Sequence, residues 1–110
     1  LLLQHGAPVD ARDKSGRTAL SWAASRGDAA SVSALLAAGA DPQVVDHQGK
    51  TPLILAAVTG DQASVSALLE KDADPQVADK RGMTALSWAQ KRGKSAIVDL
   101  LSAQADSFDR

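Results

Sequence analysis

The amino-acid sequence predicts an all-α solenoid of stacked helix-turn-helix units with projecting β-hairpin loops. Three observations predict this fold: a period of 33 residues, two short helical patterns within each period, and threonine and glycine at the helix boundaries. The segments 13–45 and 46–78 are identical at 20 of their 33 positions. A period of this length indicates units that bury their apolar faces only against their neighbours.

The first helix of each period has a clear start and a clear end. It opens on a threonine whose hydroxyl can accept a backbone N–H as an N-cap; these residues are Thr18, Thr51 and Thr84. Pro52 then occupies a first helical position, where its missing donor costs nothing. A glycine ends this helix after about two turns; these residues are Gly27, Gly60 and Gly93.

The second helix of each period carries one apolar stripe. Val32, Leu35 and Leu36 are spaced i, i+3, i+4, and Val65, Leu68 and Leu69 repeat that spacing in the next period. Helices this short are not stable alone in water, so they must stack on their neighbours.

The order of these features resembles the ankyrin-repeat family, whose unit carries the phrase T-P-L-H-x-A. TPLILA at 51–56 is the closest match, and TALSWA at 18–23 and 84–89 is a variant. The resemblance covers the whole chain as a single domain, 1–110. It implies a partial repeat at 1–12, a first full unit at 13–45, a middle unit at 46–78 and a third, C-terminal capping unit at 79–110.

The chain departs from the family pattern at three places. Ser21, Ile54 and Ser87 replace the histidine whose hydrogen bonds brace the loop. Asp72 stands where the first full unit has Gly39, at a helix exit that favours positive φ. The third unit places Gln90 and Ser102 at apolar positions, as a capping unit does.

The chain opens on three leucines without an initiator methionine, which indicates a monomeric fragment of a longer array. It has no cysteine, which excludes disulfide scaffolds and thiolate chemistry and fits an intracellular protein of the cytoplasm or nucleus. Since no apolar run approaches the roughly 18 residues of a membrane span, we expect no membrane insertion.

No residues are arranged for catalysis or for a cofactor. The two histidines, His5 and His47, lie in different units, so they form no zinc ligand set. The serines of the second helices recur only because the helix recurs, and no phosphate-binding glycine loop is present. We therefore expect a protein that is not an enzyme and holds no cofactor or metal.

The resemblance implies a ligand surface at the second, third, fifth, thirteenth, fourteenth and last places of each unit. Nine of the twelve Lys and Arg residues fall at these places, and none of the thirteen acids does. The residues at these places are Arg12, Lys14, Ser15, Arg17, Ser25, Arg26, Val45, His47, Gln48, Lys50, Val58, Thr59, Ala78, Lys80, Arg81, Met83, Lys91 and Arg92.

This distribution predicts a basic concave face on a chain of net charge −1. The face would bind an acidic peptide or protein segment through carboxylate contacts; the candidates for these contacts are Arg17, Arg26, Lys50, Arg81 and Arg92. Alternatively, the cations are ordinary solubilising residues on an exposed surface. Aromatic residues make up 3% of the chain, which leaves little surface for base stacking and disfavours nucleic acid as a partner.

A rival from another functional class is a structural or regulatory spacer. In that case the chain is a segment of a larger multidomain protein, and its groove packs against another domain of the same chain. A groove without charge bias would favour the spacer, whereas the basic bias favours a binding surface.

Both tryptophans occur in the repeated phrase TALSWA, as Trp22 and Trp88. Each lies one helical turn before an arginine, Arg26 or Arg92, that can cover its ring. Two interpretations remain open: a tryptophan that fills the angle between helix and hairpin, where the middle unit has Leu55, or a contact for a ligand. Trp22 and Trp88 therefore join the candidate binding residues.

Overall fold

The computed structural model describes residues 10–108, with side chains through residue 103. The leading leucines, His5 and Arg110 lie outside this part of the chain, as does most of the segment 1–12. Six helices follow one another along the described residues. They are α1 (Ala19–Arg26), α2 (Ala29–Ala37), α3 (Pro52–Thr59), α4 (Gln62–Glu70), α5 (Ala85–Lys91) and α6 (Ser95–Phe108).

The predicted threonine caps are confirmed. The hydroxyl of Thr18 accepts the backbone N–H of Ser21 at 3.2 Å, and Thr51 and Thr84 make the equivalent bonds. Thr18 and Ser21 form a reciprocal capping box, because the serine hydroxyl also faces the threonine N–H. In α1 and α5, the serine that replaces the family histidine therefore belongs to the helix cap.

The helix exits follow the predicted glycine pattern. Gly27 and Gly60 are left-handed C-caps, and Gly93 also has positive φ. At the exit from α4, Asp72 adopts φ 65°, where the equivalent Gly39 has φ 97°. Asp72 is the only non-glycine residue with positive φ within residues 10–108.

The helices form two layers. α1, α3 and α5 stack on one another, α2, α4 and α6 form the second layer, and each first helix packs on the second helix of its own unit. The predicted stripes face the core: Val32, Leu36, Val65 and Leu68 are buried, whereas Leu35 and Leu69 are partly buried at its edge. Burial between units therefore stabilises α1 to α5, helices of seven to nine residues that would not persist alone.

The loops between units close as tight turns, with no β-strand within residues 10–108. In each turn the backbone N–H of the opening aspartate donates to the carbonyl oxygen of the residue four places on. One hydrogen bond then joins each loop tip to the next: His47 N donates to Ser15 O, and Lys80 N donates to Gln48 O, each at 3.0 Å. The tips consequently project as a continuous row beside the first helices.

The outer face of the third unit is more polar than the equivalent face of the middle unit. Gln90 is exposed, whereas its counterpart Ala57 is fully buried. Ala89, Gln90, Gly93, Ser95, Val98 and Asp99 line an open depression of about 270 Å³ on this face.

Candidate functional site

The opening aspartates of the units hold the projecting loops in shape. In Asp46 and Asp79, one carboxylate oxygen, Oδ1, accepts the backbone N–H groups two and four places on, at 2.9 and 3.0 Å. Asp13 makes the same pair of bonds to Ser15 and Arg17. Asp46 and Asp79 are buried, at 5% and 6% exposure. Their negative charges are therefore directed into the turns.

The second oxygen of each opening aspartate also has a partner. Trp22 Nε1 donates to Asp13 Oδ2 at 2.7 Å, and Trp88 Nε1 donates to Asp79 Oδ2 at 2.8 Å. The middle unit has Leu55 instead of tryptophan, and there Arg17 of the preceding unit reaches Asp46 Oδ2 at 3.2 Å. The tryptophan of TALSWA thus braces the loop of its own unit.

These carboxylates were not predicted as partners of the tryptophans. The signal was present, because an aspartate stands nine residues before each tryptophan and the spacing occurs twice. It was not recognisable as a contact because residues nine apart touch only if the chain reverses between them.

Cations surround both indole rings. Arg17 and Arg26 lie 4.7 and 5.9 Å from the centroid of the Trp22 ring. Lys50, Lys91 and Arg92 lie 5.0, 5.4 and 5.7 Å from the centroid of the Trp88 ring. As predicted, the arginine one turn on lies over each ring, although Trp22 stays partly exposed.

The two tryptophans differ in exposure although their phrases are identical. Trp22 is 39% exposed and Trp88 is 4% exposed. Lys50, which comes from the preceding unit, lies over Trp88, whereas both cations on Trp22 come from its own unit. Trp88 is therefore a poor candidate for direct contact with a ligand, because its ring is covered. The ring of Trp22 keeps an accessible surface.

Three of the candidate cations have structural partners. Arg17 pairs with Asp46, Lys50 is half-buried over Trp88, and Arg12 donates to the carbonyl oxygens of Gly16 and Val45, at 3.0 and 2.6 Å. These three cations therefore contribute to the structure through contacts within the chain. Arg17, whose charge is paired with Asp46, is correspondingly a poorer candidate for contact with a partner's carboxylate, and Lys50 is less exposed than the remaining candidate cations.

Six candidate cations remain exposed at the loop tips and at the C-terminal ends of the first helices. Arg17–Asp46 is the single ion pair among the side chains through residue 103, so none of the six lies within ion-pairing distance of a described acid. These residues, named here the basic face, are Lys14, Arg26, Lys80, Arg81, Lys91 and Arg92.

The uncharged candidates contribute less. The hydroxyls of Ser15, Ser25 and Thr59 bond to Asp13 Oδ1, to the Trp22 carbonyl, and to the Ser25 and Leu55 carbonyls, respectively. His47, Gln48 and Ala78 are exposed, whereas Val45, Val58 and Met83 are half-buried. The middle unit thus presents a mostly neutral surface between two charged ones.

Hydrogen bonding shifts several carboxylates toward the ionised form. The hydroxyl of Ser15, followed by the indole of Trp22, holds the pKa of Asp13 well below its ordinary value. The Ser31 hydroxyl and N–H lower the pKa of Asp28. Burial acts to raise the pKa of Asp79, but the bonds from Trp88 and the backbone outweigh it, and the net shift is downward.

The described part of the chain offers no arrangement for metal binding. No three His, Asp or Glu side chains in it lie together as ligands. Two serines of the second helices hydrogen-bond to the aspartates that open those helices: Ser31 donates to Asp28, and Ser64 donates to Asp61. None of the helices in residues 10–108 is long and apolar enough to cross a membrane.

Comparison with protein families agrees with this architecture. A family model described as ankyrin repeats, three copies, matches residues 22–109, and a second, described as ankyrin repeats, many copies, matches residues 1–36. No curated protein matches the chain. Ankyrin repeats are generally protein–protein interaction modules and are typically non-catalytic. With the fold, the 33-residue period and both matches in agreement, the chain belongs to the ankyrin-repeat family.

Proposed function

We propose that this chain is a non-catalytic module that binds an acidic segment of a partner protein on its basic face. The basic face lies on the loop tips and the ends of the first helices, which together form one side of the solenoid. Function resides in such a site rather than in the fold, so the proposal depends on the charges presented there.

The observation that carries the proposal is the separation of the two signs of charge. The opening aspartates Asp46 and Asp79 are buried and saturated by N–H donors. The six cations of the basic face are exposed, at the loop tips and at the ends of the first helices. A nearly neutral protein therefore presents a locally positive surface, which attracts and orients an acidic partner.

The charge is unevenly distributed along the solenoid. Lys14 and Arg26 belong to the first full unit, the other four cations belong to the third, and the middle unit presents His47 and Gln48. A matching segment would carry most of its acidic residues at the end that lies on the third unit.

Binding can be tested with a fluorescent peptide in which glutamate alternates with serine, compared with its glutamine counterpart. We expect anisotropy to report binding of the glutamate peptide only. Reversal of Arg26 or Arg92 to glutamate should raise its Kd by about threefold to tenfold, because an attraction of exposed charges becomes a repulsion of similar size.

Lys71→Glu provides the matched control. Lys71 is an exposed cation at the end of α4, outside the basic face, and its reversal changes the net charge by the same amount. We expect this variant to bind almost as tightly as the unmutated chain, and added salt to weaken binding. Equal effects of Lys71→Glu and Arg92→Glu would contradict the proposal.

A further inference from the structure

The two tryptophan sites differ in their local balance of charge. Around Trp88 there are three cations, Lys50, Lys91 and Arg92, and one carboxylate, Asp79, bonded to the indole. We name these four groups the Trp88 cluster. The two cations on Trp22 are matched by two carboxylates: Asp13 on the indole and Asp46 on Arg17. The Trp88 cluster thus has an excess of two positive charges, and the Trp22 site has none.

Part of this excess, at Lys50, is held where water screens it incompletely. Trp88 is buried beneath the three cations, Lys50 is half-buried, and Lys91 and Arg92 are exposed at the end of α5. Like charges around one ring repel one another, and each cation's attraction to the ring is worth only about 0.5–1 kcal/mol at an exposed site. A ligand with two negative charges would relieve the repulsion.

The origin of the cations bears on which dianion fits. Lys50 comes from the loop of the middle unit, whereas Lys91 and Arg92 come from the third unit. The charge is distributed around an indole ring and across a junction between units. The planar guanidinium of Arg92 suits either anion, but two separate carboxylates match this distribution better than a single phosphate group does.

We propose that the Trp88 cluster is the subsite that takes two adjacent acidic side chains of the partner segment. This inference rests on the proposed function and specifies where on the basic face the partner's densest negative charge binds. The Trp22 site, with its balanced charges, serves as an internal comparison within the same chain.

The two indole N–H groups allow both sites to be observed at once. Spectra that correlate ¹H with ¹⁵N in the unmutated chain contain one indole signal from each tryptophan, which Trp22→Phe assigns. The probe is a capped peptide with two adjacent glutamates among serines and glycines. We expect it to shift the Trp88 signal and to leave the Trp22 signal nearly unchanged, while the matching glutamine peptide shifts neither.

Neutral substitutions provide the second readout. The double variant Lys91→Gln/Arg92→Gln should raise the Kd of the glutamate peptide by about threefold to thirtyfold, as expected for the loss of two surface ion pairs. Arg26→Gln, at the Trp22 site, should change it by less than about twofold. Because these three side chains are exposed, their variants should stay folded, and a thermal melt checks this.

The outcomes separate this inference from the proposed function. If the glutamate peptide binds but shifts Trp22 as much as Trp88, or if Arg26→Gln weakens binding as much as the double variant, the subsite is wrong and the acidic-partner proposal stands. A peptide with one phosphoserine that shifts Trp88 where the glutamate peptide does not would overturn the choice of paired carboxylates. If no acidic peptide binds, both proposals fall.

Discussion

Trp88 Nε1 donates a 2.8 Å hydrogen bond to Oδ2 of Asp79, and both residues are buried. The bond joins the helix α5 to the loop that opens the same unit, nine residues earlier. Because Oδ1 of Asp79 accepts two backbone N–H groups, the indole completes the hydrogen bonding of this carboxylate. The tryptophan therefore has a structural role that its aromatic character alone does not reveal.

Trp88→Phe should lower the free energy of unfolding by about 1–3 kcal/mol. Phenylalanine preserves most of the ring packing but leaves a buried carboxylate oxygen without its donor. Urea denaturation measures the change. Trp22→Phe is the control. It should lower the free energy of unfolding by clearly less, because water can replace the indole at the exposed Asp13. Equal losses would contradict the assigned role of burial.

Stability should fall in acid through the aspartates whose pKa values are lowered on folding. The folded pKa of Asp79 lies below its ordinary value of 3.8, despite its burial, because Trp88 and the backbone donate to its ionised form. Its contribution is therefore fully present above about pH 4 and is lost as the pH falls through the folded pKa. Urea titrations at a series of pH values test this.

The same titrations on Trp88→Phe test the cause. Without the indole donor, the folded pKa of Asp79 should rise, so the difference in stability between the two proteins should shrink as the pH falls below about 4. A difference that stays constant down to about pH 2.5 would show that the bond does not favour the ionised carboxylate.

Asp72→Gly should raise the free energy of unfolding by about 0.5–1 kcal/mol. Asp72 has φ 65° at the exit from α4, and glycine adopts this region without the steric cost of a Cβ atom. Gly39→Asp is the reverse experiment at the equivalent exit, where φ is 97° and an added Cβ would meet no atom within 4 Å. It should lower the melting temperature, and a rise there would contradict the account.

Arg17 and Asp46 should be energetically coupled. The pair joins the first full unit to the middle unit, with Asp46 buried and the Arg17 side chain 20% exposed. A double-mutant cycle of Arg17→Met and Asp46→Asn should give a coupling free energy of about 0.5–1 kcal/mol that favours the folded state. The control cycle pairs Arg26→Met with Asp46→Asn, and its coupling should be near zero.

The fold could be predicted from the sequence because its determinants are local. Thr51 caps α3, and Gly60 ends it, through bonds to residues at most four places away. The period then places Val32 and Val65 at equivalent core positions, since each unit packs only on its neighbours. Short-range signals repeated three times thus specify a fold whose units pack only on their neighbours in sequence.

The details of the site could not be predicted, because they depend on contacts between elements. The identical phrases around Trp22 and Trp88 give no sign that one ring is exposed and the other covered by Lys50 of another unit. Charge position alone likewise does not distinguish Arg17, which is held by Asp46, from Arg26. The sequence predicted where cations would lie, and only their partners show which of them can meet a ligand.

The partner of each opening aspartate has a consequence for building new arrays from these units. Asp79 receives its final donor from a tryptophan of its own unit, whereas Asp46 depends on an arginine of the unit before it. A copy of 79–110 therefore carries the indole donor for its own opening aspartate whichever unit precedes it. A copy of 46–78 needs a preceding unit with a cation at its fifth place, and Met83 cannot supply one. The order of the units therefore matters for the hydrogen bonding of some opening aspartates and not for that of others.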